Sequence, residues 1–153
     1  MGNTFFSDEP SEIVRNRASG YRPSDEGYVT DMTNLFWVGD GGLHTNVEDL
    51  AIWDQHFYNP RLGSNPEELM AQFLTPNSVF PSGDDTLYAN GQNIGELDGR
   101  KRIAHGGGWL GVTTYYSRYP DDEVSTIILC NDVSLSPYNF SRAIEQAWFD
   151  SRE

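Results

Sequence analysis

Turn residues divide the second half of the chain at short intervals, and this pattern constrains the fold more than any other sequence feature. Asp98-Gly99 is a two-residue hairpin signal, and Pro120-Asp121-Asp122 marks a second turn. The segments between them are rich in Val, Ile, Thr and Tyr, which are typical of strands. They predict an antiparallel meander of three or four strands, over residues 87–94, 102–105, 112–119 and 124–131.

Three helices are predicted around this meander. Thr45 with Glu48 forms a capping box, and the apolar spacing that follows predicts a helix ending at Asn59-Pro60, with Asp54 as a polar exception on its apolar face. Asn65-Pro66 starts a second helix that ends at Thr75-Pro76. Residues 137–150 form a third, on which one face carries Phe140, Ile144, Ala147 and Trp148.

Composition bounds the class of protein. With 153 residues, the chain fits one domain over residues 1–153, and the predicted fold class is α+β. Irregular structure with brief extended pieces is expected over the first forty residues, which are rich in Gly, Pro, Asp and Ser. The formal charge of −13 disfavours nucleic acid and anionic membrane surfaces as partners.

No apolar run approaches the ~20 residues of a membrane span. Residues 1–4 have neither the basic flank nor the apolar stretch of a signal peptide, and the sequence leaves the compartment undetermined. The single cysteine, Cys130, excludes an internal disulfide and is predicted to be a buried, inert thiol.

The segment from His105 through Gly106, Gly107 and Gly108 to Trp109, continuing to Leu110-Gly111, is the sharpest local signal. Glycines let a ligand approach the backbone, and exposed N–H groups can stabilise an oxyanion. Histidine can change its charge near neutral pH. The segment therefore predicts a substrate site between two strands; the alternative interpretation is a glycine-rich bulge with a histidine at its edge.

The same letters occur in the oxyanion loop of lipases with the α/β-hydrolase fold. Those enzymes need a Gly-x-Ser-x-Gly nucleophile elbow and a later histidine, and neither follows Gly108 in this chain. A metal site from His44, His56 and Asp40 matches no known ligand spacing. The segment 39–42 lacks the acidic positions of a calcium loop, so no metal is expected.

Five blocks in order resemble the serine β-lactamase, penicillin-binding protein (DD-peptidase) and class C-type esterase superfamily. They are residues 1–6, residues 16–21, residues 41–53, His105-Gly106-Gly107, and the pair 118–121 with 128–131. The third motif of that superfamily, Lys-Thr-Gly, occurs in a His-x-Gly form that His105-Gly106-Gly107 resembles. The resemblance implies the C-terminal portion of that fold.

The resemblance also implies roles. His105 would bind the substrate carboxylate or assist proton transfer, Gly106 and Gly107 would line the cleft, and the N–H of Gly108 would be one of two oxyanion donors. No cofactor is implied. However, no serine here is followed three places later by lysine, so the nucleophile motif is missing. Tyr88-Ala89-Asn90 matches the second motif, Tyr-x-Asn, but lies on a predicted strand close before His105.

Three functions remain open at this point. The chain is expected to belong to a hydrolase of a β-lactam, a D-amino-acid peptide or a small ester, inactive alone for want of Ser-x-x-Lys. It is otherwise a non-catalytic module that binds a ligand or a partner, or one subunit of a split enzyme. A small-molecule or peptide substrate is the expected cleft ligand. A homo-oligomer or a missing N-terminal half is the expected partner, because a partial fold exposes apolar surface.

Overall fold

The computed structural model describes residues 1–76 and 87–152. Antiparallel strands and three helices occur in separate runs along the chain, as the α+β prediction requires. The elements are β1 (Phe5–Phe6), β2 (Tyr21–Ser24), β3 (Gly27–Thr30), β4 (Leu43–His44), α1 (Val47–Gln55), α2 (Pro66–Phe73), β5 (Leu87–Ala89), β6 (Gln92–Leu97), β7 (Arg100–Trp109), β8 (Val112–Tyr119), β9 (Val124–Cys130) and α3 (Pro137–Asp150).

The main sheet is a five-stranded antiparallel meander in the order β5-β6-β7-β8-β9. The prediction of one strand over residues 87–94 is wrong, because the chain turns back at Asn90-Gly91. Both turn residues have positive φ, 47° and 84°, which asparagine and glycine tolerate best. The Asp98-Gly99 hairpin is confirmed, with φ of 52° and 76°. The extra hairpin supplies the fifth strand.

Helix α1 begins one residue later than predicted. The side chain of Asn46, not that of Thr45, caps the helix by accepting a hydrogen bond of 2.8 Å from the Asp49 N–H. The Thr45 hydroxyl instead lies 2.8 Å from the Thr4 hydroxyl, and Thr4 donates to the Asp49 carboxylate at 2.7 Å. Thr45 therefore ties the N-terminal segment to α1 rather than capping it.

The two faces of the sheet carry different helices. On one face, Asp54 of α1 accepts a hydrogen bond of 2.8 Å from Ser125 of β9. On the other, Ser141 and Glu145 of α3 are buried against β8 and β9, where Thr126 donates to Glu145 at 3.0 Å. Three of the large apolar residues of α3 face away from the sheet: Phe140 is 44%, Ile144 51% and Trp148 41% exposed.

The first forty residues form brief extended pieces, as expected: β1 pairs with β4, and β2 pairs with β3. Cys130 is half-buried, so the prediction of a buried thiol is wrong; it is the last residue of β9, where cover by the rest of the chain is incomplete. Among the helices of the described residues, none has the length and apolarity that a membrane crossing requires.

Candidate functional site

Strand β7 carries the whole histidine-glycine segment. The segment was predicted to lie between two strands, but the strand runs through it and ends at Trp109. Gly106, Gly107 and Gly108 pair one-to-one with residues of β8 (Tyr115, Thr114 and Thr113), so the register has no bulge. His105 and the three glycines are all exposed. The result is an open strip of backbone with an imidazole at its head.

The three glycines differ in how much space surrounds them. A Cβ on Gly107 would lie 2.6 Å from the Thr114 hydroxyl, closer than real contacts allow. A Cβ on Gly106 would reach 3.4 Å from the Tyr115 ring, and one on Gly108 would meet nothing closer than 3.9 Å. Only Gly107 is therefore required by packing against β8. The surface at Gly106 and Gly108 remains open to a ligand.

Tyr88 lies beside His105. The Tyr88 hydroxyl is 3.1 Å from Nε2 of His105, and the ring centroids are 5.8 Å apart. Asn90, two residues later, donates from its side chain to the backbone carbonyl of Phe73 at 3.0 Å. Of the Tyr-x-Asn pattern, the tyrosine thus reaches the candidate site and the asparagine binds the end of α2.

A cavity of about 170 Å³ adjoins His105. Aromatic rings from α1 and α2 form one wall, and both polar and apolar residues of the sheet form the other. The described lining residues are Trp53, Phe73, Asn90, Gly91, Gln92, Ile103, Ala104, His105, Tyr116 and Arg118.

Arg118 is a buried cation that lines this cavity, at 2% exposure. Its guanidinium carbon lies 3.2 Å from the centroid of the Phe57 ring, and it donates a hydrogen bond to the side-chain oxygen of Gln92. Burial lowers the pKa of Arg118, and the hydroxyl of Tyr116 and the carboxylate of Asp54 oppose that shift. Within residues 1–76 and 87–152, Nη1 of Arg118 and Nε2 of Gln92 have no acceptor.

Asp54 supplies the nearby negative charge. It accepts hydrogen bonds from the hydroxyls of Tyr116 and Ser125, and Tyr58 lies 3.2 Å from the Ser125 hydroxyl. Burial raises the pKa of Tyr116, and the hydrogen bond to Asp54 raises it further. The sequence signal for this network was Asp54, the one acidic residue on the predicted apolar face of α1. Helical spacing shows that Asp54 lies on this face but does not show which residues it contacts.

Trp109 closes the far end of the glycine strip. Its indole N–H donates to the Asn34 side chain at 3.2 Å, and its ring meets Trp37 edge-on at 6.3 Å. Both rings are exposed, so they can form a wall of the cleft.

His44, one of the residues considered for a metal site, stacks on Phe5 with ring centroids 5.1 Å apart. Burial lowers its pKa, and the nearby Arg17 adds to that shift. Over the part of the chain that the structure describes, no group of three or more His, Cys, Asp or Glu side chains could hold a metal ion.

Comparison with known proteins places the chain among relatives that are longer than it is. A family model described as Beta-lactamase matches residues 1–147. The D-aminopeptidase of Brucella ovis is 24% identical over 123 residues, which are 80% of this chain and 23% of that protein. The D-aminopeptidase of Gluconobacter oxydans is 26% identical over 116 residues, 75% of this chain and 22% of that protein. The chain thus spans under a quarter of their length.

Two solved structures share the fold. An octameric penicillin-binding protein homologue from Pyrococcus abyssi superimposes with a TM-score of 0.82 at 21% identity, covering 98% of this chain and 34% of that one. A penicillin-binding protein from Bacillus halodurans gives a TM-score of 0.73 at 24% identity, covering 94% and 43%. In both comparisons the similarity covers more than nine-tenths of this chain.

Proposed function

Since this chain belongs to the Beta-lactamase family, we propose that it supplies the oxyanion and substrate-binding side of a serine-hydrolase site. The observation that carries the proposal is the exposed strip of β7, where His105 precedes three glycines whose amides a ligand can approach. In this proposal, the N–H of Gly108 stabilises the oxyanion and His105 contacts the substrate.

The nucleophile is the component that this sequence lacks. Acyl transfer through a serine needs an activated hydroxyl and a base, and Ser-x-x-Lys occurs nowhere in residues 1–153. We propose that another polypeptide segment carries it. The relatives named D-aminopeptidase favour a D-amino-acid peptide over a β-lactam or a small ester as the substrate.

A binding experiment tests the substrate side on the chain as it exists. We expect D-alanyl-D-alanine to shift the amide signals of Gly106–Gly108 in ¹H–¹⁵N spectra, and the L,L dipeptide to shift them less. His105→Ala should weaken the effect, whereas His44→Ala, which removes a histidine elsewhere, should leave it unchanged. Equal responses to both dipeptides, or none, would contradict the proposal.

A labelling experiment tests the missing nucleophile. The chain alone should take up neither a fluorophosphonate nor a fluorescent penicillin. Stoichiometric labelling of any of its own serines would show that the chain is a complete acylating enzyme. Selective dipeptide binding without labelling fits both the incomplete hydrolase and the second candidate, a non-catalytic binding module. A segment carrying Ser-x-x-Lys that becomes labelled only in the presence of this chain would select the hydrolase.

Self-association is a further part of the proposal. Phe140, Ile144 and Trp148 form an apolar stripe on the outside of α3, and exposed apolar stripes favour protein contacts. The Pyrococcus abyssi homologue is octameric, which supports an oligomer of this chain.

A further inference from the structure

We propose that Tyr88 is a positioning residue that selects the tautomer of His105 and leaves Nδ1 of His105 as the nitrogen that meets the substrate. The inference rests on the proposed function, because it concerns how His105 contacts a substrate. It identifies His105 as a hydrogen-bond donor to an acceptor group of the substrate, such as a carboxylate, rather than as a general base.

The geometry gives the first step. The Tyr88 oxygen lies 3.1 Å from Nε2 of His105, within hydrogen-bonding distance, with the two rings inclined at 58°. A neutral imidazole has one nitrogen that donates and one that accepts. A phenol is a stronger donor than acceptor, because its oxygen lone pair is delocalised into the ring. The favoured arrangement has the Tyr88 O–H donating to Nε2, and the proton of His105 must then reside on Nδ1.

The fold holds Tyr88 in place to do this. Tyr88 pairs with Asn93 of β6, and Asn93 pairs with Ala104 of β7, immediately before His105. The hairpin after Tyr88 is attached to the end of α2 by the Asn90 side chain. The tyrosine oxygen is therefore presented by an edge strand that pairs with β6 along one side and whose following turn is attached to α2, and a partner held in this way can orient a ring.

The chemical consequence concerns Nδ1. Across the described ranges, 1–76 and 87–152, the Tyr88 hydroxyl is the hydrogen-bond partner of the His105 ring, and it occupies Nε2. The ring is exposed, and Nδ1 carries a proton that it can donate. A neutral nitrogen that already holds its proton cannot accept another, so the Nδ1 side suits a carboxylate or carbonyl oxygen of the substrate. In this arrangement His105 binds the substrate through Nδ1–H and does not act as a general base, because Tyr88 occupies Nε2.

The test is the tautomer itself, measured on the whole chain without substrate. Histidine ¹⁵N spectra at about pH 8.5, where an ordinary imidazole is neutral, distinguish the two tautomers. We expect His105 to be mainly Nδ1-protonated. Tyr88→Phe should shift the tautomer ratio toward Nε2–H by roughly two- to tenfold, the range given by a neutral hydrogen bond. Tyr138→Phe, which removes the hydroxyl of an exposed tyrosine on α3, should not change the ratio.

Either of two results would overturn the inference: a native His105 that is mainly Nε2-protonated, or an unchanged ratio in a folded Tyr88→Phe variant. The first needs no variant, so it stands even if Tyr88→Phe fails to fold. The readout is independent of the proposed function, because no substrate is present. If His105 has the expected tautomer but the dipeptide does not bind, the proposed function alone is contradicted. If the dipeptide binds but His105 has the other tautomer, the positioning role of Tyr88 alone is contradicted.

Discussion

Gly20 and Gly111 are in direct backbone contact: a Cβ on Gly20 would lie 2.7 Å from the Cα of Gly111. Asp31 joins the two, because its N–H donates to the Gly20 carbonyl at 2.8 Å and its carboxylate accepts from the Gly111 N–H at 3.0 Å. The contact packs the N-terminal segment against the turn between β7 and β8. That turn directly follows the glycine strip and Trp109, so the contact supports the candidate site.

Gly20→Ala should therefore destabilise the protein by about 3 kcal/mol, since the new methyl group meets backbone atoms that cannot move aside. Gly2→Ala is the matched control, because a Cβ there meets no atom within 4 Å. Urea unfolding of both variants checks the expectation. A Gly20→Ala variant as stable as the control would show that this contact is loose in solution.

Asp54→Asn should cost about 2 kcal/mol, because it keeps the shape but removes the charge that accepts from Tyr116 and Ser125 beside buried Arg118. Asp121→Asn makes the same change at an exposed turn and should stay within about 0.5 kcal/mol of the native protein. Thermal unfolding measures both. Equal stabilities would mean that the α1–β9 contact does not depend on the negative charge.

Glu145 predicts an acid limit to stability. Burial favours raising its pKa, but hydrogen bonds from Ser141, Tyr119 and Thr126 outweigh burial and hold the pKa below its ordinary 4.5. A lowered pKa contributes stability above pH 4.5 that is lost as the pH falls through the folded-state value. Glu145→Gln should therefore be destabilising at neutral pH and approach the native stability in acid. Unfolding free energies across pH 2–7 test this; a constant difference would refute it.

Tyr119 predicts an alkaline limit. Burial and the hydrogen bond to Glu145 raise its pKa from 10.0 to about 12. A raised pKa contributes stability that is complete below pH 10 and lost as the pH rises toward 12. Tyr119→Phe removes the phenol, so the loss of stability between pH 10 and pH 12 should become smaller. The variant also lacks the hydrogen bond to Glu145. Ultraviolet titration of the tyrosines in the native protein and in Tyr119→Phe measures this pKa, with Tyr138→Phe as the control. A Tyr119 that ionises near pH 10 would contradict the expectation.

The outer stripe of α3 predicts self-association. At micromolar concentration we expect sedimentation to show a dimer or a larger oligomer, because Phe140, Ile144 and Trp148 together leave apolar area uncovered. Ile144→Glu should shift the chain toward monomer while leaving its circular dichroism unchanged. A native chain that sediments as a compact monomer would contradict the prediction, because the apolar stripe would then remain exposed to solvent.

Sequence reasoning placed β8 and α3 at their observed bounds because both have local signals: Val, Thr and Tyr before a proline turn, and Ser136 followed by a proline at a helix start. It missed the Asn90-Gly91 turn because a strand pattern continues on both sides of it. It also assigned the cap of α1 to Thr45 when the adjacent Asn46 is equally suited. Choosing between them required the contact with Thr4, 41 residues away.

The sequence by itself determined most of the meander and the histidine-glycine strip, because each depends on residues within a few positions of one another. It determined the family through five short blocks in the right order along the chain. Tertiary structure alone decided which side chains surround the strip. Tyr88 reaches His105 across 17 residues, and Asp54 reaches Ser125 across 71. Such partners are selected by sheet register and helix packing, which emerge only when the whole chain closes its loops and buries its apolar surface.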